Sequence, residues 1–363
     1  IVGQLYSQND SRRDSGFTIF YMAINIGSML GFAVCGWLGE KVGWHFGFGA
    51  AGVGMLFGVT QFILFRHQLG EAGKYPNKIN EQTKRNYIRG VGLVVILIAS
   101  VVITGMAGFW SIDPVYFAER FRDFLVVISI IYFIYLLFFA GLTANEKKNV
   151  LMLLLLFIGA AAFWSGFDQS AGSLTIFTRD YVNLTFGSFT APVSWTQFVN
   201  PLFVVMFAPF FAYLWVFLGK RNLDPNMPIK FGLGLILMAL GFIVMILAVK
   251  YALASSPVGV QWLLLTYLLH TFGELTLSPV GLSAFSKYSP KRYLGQMMGI
   301  WFLASSLGGV LAGLLGGEAT ESGLESMSPV FTELVYYCLA IAAVLIVLSF
   351  FIKGAKTDNI PDE

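Results

Sequence analysis

Two carboxylates, Asp168 in AFWSGFDQSAG and Glu274 in LLHTFGELTLSPVG, stand inside apolar runs, whereas the other 18 of the 20 acidic residues fall in loops, tails or near the ends of such runs. A charge at the centre of a bilayer costs about 2.5–3.5 kcal/mol on insertion scales, so an acid there marks a proton, cation or substrate pathway by default. The alternative for both is a carboxyl kept neutral by burial and held by neighbouring hydroxyls. Trp164 precedes Asp168 by four residues and shares its helix face. His270 precedes Glu274 by four and Ser278 follows it by four, which makes a polar stripe. Pro279 then interrupts the helix ladder beside Gly281. His270 has the chemistry of a proton relay or of a structural histidine bonded to a neighbouring helix. Asn200, before Pro201 in TQFVNPLFVV, suits either a neighbouring helix or a substrate. Trp301 and Ser305 in GIWFLASSLGG form a further i, i+4 pair that suits core packing or ligand contact.

Other chemistries lack their residues. There is no H-E-x-x-H, no G-x-S-x-G elbow, no P-loop and no Cys/His cluster, and the three histidines are far apart. A hydrolase, a metalloenzyme and a metal site are therefore not expected. No span carries regularly spaced arginines, which excludes a voltage sensor. Cys35 and Cys338 both fall in predicted spans and read as small buried hydrophobes.

The elements that must position these groups follow from composition. Of 363 residues, 56% are hydrophobic, 16% aromatic and 12% charged, with 35 phenylalanines and a mean hydropathy of +0.72. Soluble domains carry about 25% charged residues, so the chain reads as an all-α integral membrane protein. About ten segments are long enough to span, centred near residues 28, 55, 98, 133, 161, 207, 240, 271, 306 and 341. Unbroken apolar runs indicate helices and not the weak alternation of a barrel. With the N-terminal segment inside, 18 of the 23 basic residues lie on the cytoplasmic side and 5 opposite. The positive-inside rule then makes the C-terminus cytoplasmic, and the net charge of +3 calls for no nucleic-acid partner.

Spans near 17–39 and 44–65 meet at a tight turn around Glu40 to Gly43, and their closely spaced glycines, Gly27, Gly31, Gly47, Gly49, Gly52 and Gly54, read as helix packing. The basic loop RHQLGEAGKYPNKINEQTKRNYIR and two plain apolar spans, near 90–108 and 124–141, come next. Those two spans read as lipid-facing or peripheral. Six more spans complete the chain. The divisions are 1–65, two helices of an N-terminal bundle; 66–147, the loop and two inserted helices; and 148–363, a six-helix bundle. This is a major facilitator-type arrangement, with two six-helix halves about a midplane site, in which four helices of the first half are not in this sequence. The chain opens at Ile1 in a polar stretch without a visible signal peptide, and reads as part of a longer transporter.

Four ordered stretches resemble the proton-dependent oligopeptide transporter family. RRDSGFTIFYMAINIGSMLG resembles its F-Y-x-x-I-N-x-G core, AFWSGFDQSAGSL its F-W-x-x-F-E-Q element, FGELTLSPVGLSAFSKYSP its G-E-x-x-x-S-P-x-G element, and GQMMGIWFLASSLGG its M-M-G-x-W-F-L element. The resemblance implies symport of di- and tripeptides with protons, no cofactor, and a monomer in the bacterial inner membrane. It implies that Glu274 receives the peptide amino group, that Asn25 and Asn200 hold the peptide backbone, and that Trp164, Trp301 and Ser305 line the cavity. Asp168 stands where the family has glutamate, one methylene longer, and is implied to be a coupling or gating carboxylate. The family's E-x-x-E-R-F-x-Y-Y motif is absent from these residues, AERF at Ala118 to Phe121 being a partial look-alike. Pro201, Pro279, Gly308, Gly309 and Gly313 are expected to permit helix bending. The rival readings are the same fold with nitrate, an amino-acid conjugate or a drug-like molecule as cargo, and a membrane-embedded enzyme using Asp168 and Glu274.

Overall fold

A computed structural model describes residues 13–70, 80–111, 113–320 and 323–351. Arg12, Lys74, Lys78, Lys353 and Lys356 of the basic count lie outside them. Helix α1 (Arg13–Leu30) runs through a π-helical stretch, Gly31–Gly36, into α2 (Trp37–Lys41). Then come α3 (Trp44–Phe65), α4 (Glu81–Met106), α5 (Pro114–Ile134) and α6 (Ala144–Phe167). A 3-10 turn, Asp168–Ser170, leads to α7 (Ser173–Tyr181), followed by β1 (Val182–Asn183), β2 (Thr185–Phe186) and β3 (Phe189–Thr190). A 3-10 segment, Val193–Phe198, enters α8 (Val199–Lys220). The rest is α9 (Met227–Ala254), β4 (Val258–Gly259), α10 (Gln261–Tyr288), α11 (Leu294–Thr320) and α12 (Leu324–Phe351).

Helices dominate because hydrocarbon offers the backbone no hydrogen-bond partner, and a helix satisfies its own. Local chemistry sets their starts. Thr143 and Glu146 form a reciprocal capping box at α6, with bonds of 3.3 and 2.8 Å. Asn226 accepts from the Ile229 amide at 3.1 Å to start α9. The strands are two-residue connectors: β1 pairs parallel with β4, and β2 pairs antiparallel with β3 across Gly187, whose φ of 64° suits glycine.

Nine helical segments among the described residues are long and apolar enough to cross a membrane. The tenth expected span is α10, which has 28 residues, as α9 does. It falls short on apolarity alone, because His270, Thr271, Glu274, Thr276 and Ser278 interrupt it. The span that holds Asp168 is longer than the sequence suggests, since Ala144–Tyr181 joins α6, the 3-10 turn and α7.

The chain divides into two compact units. The first comprises Ile1–Ile24 and Gly49–Phe117. Within it α4 presents Val94, Ile96, Ile98 and Ile103 outward, as a lipid-facing helix does. Asp113 accepts from the Val115 amide at 2.9 Å to start α5. The second unit comprises Asn25–Phe48 and Ala118–Glu363. Its core lies where α9 packs between α12 and α10, with α6 against α11. The inserted helix α5 is only half peripheral, since Phe133 meets Phe157 of α6 edge-on at 5.7 Å and Tyr132 donates to Gln296 of α11 at 3.0 Å.

Helices α9 and α10 touch through their backbones. A Cβ on Gly273 would come within 2.8 Å of the Gly234 carbonyl, and one on Gly234 within 3.0 Å of the Gly273 carbonyl. Small residues at such crossings let membrane helices approach closely. Gly273→Leu is expected to force the pair apart and to lower the melting temperature in detergent, at a cost of about 1–3 kcal/mol for overpacking. Gly295→Leu, at a glycine with open space around it, is the control expected to leave melting near the wild-type value.

Candidate functional site

Helix α10 carries Glu274 on the face that meets α8, five residues before Pro279. Asn200 lies in the first turn of α8, where the 3-10 segment hands over to the α-helix. Its Nδ2 donates to Glu274 Oε2 at 3.0 Å and to Thr271 Oγ1 at 3.0 Å, and the Thr271 hydroxyl donates onward to the Tyr267 carbonyl at 2.7 Å. Phe272 packs edge-on to Phe207 at 5.0 Å and lies 5.4 Å from Phe211, which closes the apolar side of this junction. Glu274 is 8% exposed. A buried carboxylate aligned by an amide donor is chemically suited to an ammonium or a proton.

Pro201 sits within the first turn of α8, directly after the 3-10 segment Val193–Phe198. The interior proline of α8 is Pro209. Pro279, by contrast, lies inside α10, as expected.

Asp168 opens the 3-10 turn that ends α6. Trp164, one turn earlier, meets Phe167 edge-on at 5.2 Å, and a Cβ on Gly308 of α11 would collide with the Trp164 Cβ. A Cβ on Gly309 would stand 3.2 Å from Asp168 Oδ2. Gly308 and Gly309 stand at the contact of α11 with α6. Ser305, half-buried, lies one turn from Gly309 on α11. Trp301 is 6% exposed, with its ring 5.4 Å from Phe285, 6.4 Å from Phe231 and over Gly281. Asn25 is buried in α1, in the same compact unit. His270 is 1% exposed, its ring 4.9 Å from Phe242 and against Gly241 of α9.

The structure therefore joins Asn200 to Glu274 and sets Trp164 and Asp168 beside the face of α11 that bears Ser305. Two contributors were not legible in the sequence. Thr271 anchors Asn200 but reads as one more hydroxyl in an apolar run. Glu40 reads as a turn residue, yet its carboxylate accepts from the Val193 and Ser194 amides at 2.8 Å each, and Trp195 Nε1 donates to the Ala33 carbonyl at 3.2 Å. Free amides at a helix start bind an anion in this way. The contact fixes the segment that leads into Asn200. Among the described residues no group of three or more His, Cys, Asp or Glu could hold a metal ion.

Asn200→Ala strips the carboxylate of an amide partner, a loss of about 1–3 kcal/mol for a buried polar group. Asn200→Asp sets two carboxylates side by side, which one shared proton relieves. The expected order of melting temperature at pH 8 is wild type, then Asn200→Ala, then Asn200→Asp, with Asn200→Asp regaining most of its deficit at pH 5. Equal melting of all three would contradict the contact.

Comparison with known proteins finds relatives of nearly the whole chain. The family model described as POT family matches residues 1–324. The chain is 38% identical over 359 residues to a peptide transporter, YePEPT, of Yersinia enterocolitica subsp. palearctica serotype O:3 (strain YE-P4), across 96% of this chain and 70% of the relative. It is 35% identical over 316 residues to a di-/tripeptide transporter of Lactococcus lactis subsp. cremoris, across 84% of this chain and 62% of the relative. The crystal structure of a POT family transporter in complex with 5-aminolevulinic acid superposes with a TM-score of 0.84 at 30% identity, over 97% of this chain and 72% of that one.

Proposed function

The chain belongs to the POT family, and from that premise we propose that it carries di- and tripeptides with protons across the bacterial inner membrane by alternating access. The observation that carries this reading is the Glu274 carboxylate, buried in α10 and aligned by Asn200. A peptide presents an ammonium at one end and a carboxylate at the other. Glu274 receives the ammonium, Asn25 and Asn200 hold the backbone, and Trp164, Trp301 and Ser305 wall the side-chain space. Asp168, at the break after α6, is the coupling carboxylate. A proton and a peptide bound through such carboxyls bias each other, and the bias is reciprocal. Residues 1–65 are the last two helices of an N-terminal bundle, 66–147 the loop and inserted helices, and 148–363 a C-terminal six-helix bundle; the protein works as a monomer with its C-terminus in the cytoplasm.

Both catalytic and metal chemistry are outside this reading, since the relatives are named as transporters. A second cargo class has support from one observation: the related structure that holds 5-aminolevulinic acid contains a ligand with an amine and a carboxylate but no peptide bond. An amino acid of that kind presents the same two charges to Glu274 and to the opposite side of the cavity.

The test is accumulation of a labelled dipeptide in liposomes that contain the full-length protein, with and without an inward proton gradient. Glu274→Gln is expected to abolish concentrative uptake, while Asp168→Asn retains exchange and loses gradient-driven accumulation. Normal concentrative uptake by Glu274→Gln would refute its role, and equal loss of both activities in Asp168→Asn would remove the coupling role.

A further inference from the structure

Gln169 follows Asp168 in the chain and none of the roles above uses it. Its side chain is fully buried, at 0% exposure, within the break between α6 and α7. Its Nε2 donates to the Ala312 carbonyl of α11 at 3.0 Å and to the Ser165 carbonyl of α6 at 3.4 Å, while its Oε1 accepts from the Ser173 hydroxyl of α7 at 2.7 Å. One amide therefore spans the break, from the last turn of α6 to the first turn of α7, and grips α11.

The surroundings fit that grip. Gly316, one turn beyond Ala312, faces the same amide: a Cβ there would make an ordinary contact with Gln169 Oε1 at 3.4 Å. Gly308, two turns before Gly316 on α11, brings the two backbones together at Ala161 and Ser165. A second tie holds the same break from the other side, where Thr175 donates to the Ser170 carbonyl at 2.6 Å and accepts from Gln197 of the segment before α8 at 3.0 Å. Backbone freed where a helix breaks must find partners within protein at this depth. Gln169 supplies them, and it does so next to the one carboxylate of the turn, whose Oδ2 lies beside Gly309 of α11.

We propose that Gln169 is a positioning residue for coupling: it ties the α6–α7 break to α11, so that Asp168 keeps its place against α11 when its proton is gained or lost. This rests on the transport reading given above. Gln169→Met keeps the length and bulk of the side chain and removes all three hydrogen bonds.

Two measurements on the full-length protein test it. In hydrogen–deuterium exchange, the loss of bonds worth about one tenfold factor in local opening predicts that Gln169→Met speeds exchange of the amides over residues 168–177 by about tenfold, with α9 unchanged. Unchanged exchange in 168–177, or an equal rise throughout, would overturn the clamp, and this holds whatever the cargo. In liposomes, Gln169→Met is expected to lose gradient-driven dipeptide accumulation about tenfold more than dipeptide counterflow, and Ser173→Ala, which removes one of the three bonds, to show the same imbalance to a smaller extent. Parallel loss of both activities, or loss of neither, would overturn the positioning role. Wild-type protein that shows neither counterflow nor accumulation would sink the transport reading itself and leave the exchange result to decide the clamp.

Discussion

A carboxylate cannot be left alone in a low-dielectric interior, and the second unit is organised around that constraint at Glu274. Its partner, Asn200, arrives from another helix, and an amide is useful here because it carries two donors on one atom. One goes to the carboxylate and the other to Thr271, so the Asn200 rotamer is fixed from two sides. The contact needs α8 and α10 in a set register. The register of α10 comes from its backbone contact with α9 at Gly234 and Gly273. That of α8 comes from the 3-10 segment held by Glu40. Packing far from the carboxylate thus decides where it points.

Asp168 is held by different means. Its helix stops at that residue, and the turn that replaces the helix is held by Gln169, which bonds the Ser165 carbonyl of α6 and the Ala312 carbonyl of α11, and by Thr175, which bonds the Ser170 carbonyl. The two acids are therefore held differently, Glu274 by an amide from α8 and Asp168 by a turn that Gln169 ties to α11. The glycines of α11 belong to the same arrangement, since Gly308 sets the distance between α11 and α6 and Gly309 leaves room for the carboxylate.

Much of this was legible beforehand. The apolar runs announced the helices, and the cost of an intramembrane charge singled out Asp168 and Glu274. The order of the motifs pointed to the family that the comparisons then supplied. What was not legible depends on pairs distant in sequence. Glu40 and Val193 are 153 residues apart, and a glutamate beside a turn glycine reads as solvated until the amides it meets are seen. The 3-10 segment that places Pro201 in the first turn of α8 likewise has no strong sequence signature. The polarity of α10 had the opposite effect, weakening its appearance as a span for the reason that makes it functional.

The central claim is that Glu274 is the counter-ion of a ligand ammonium. The most direct measurement is competition by a dipeptide and by its des-amino analogue, identical except for the missing amine, for binding to the full-length protein and to its Glu274→Gln variant. A charge-assisted hydrogen bond of about 1.5–3 kcal/mol predicts that the wild type prefers the dipeptide by roughly 10- to 150-fold and that the variant binds both about equally. Equal affinity of the wild type for the two ligands, or full discrimination retained by the variant, would contradict the account.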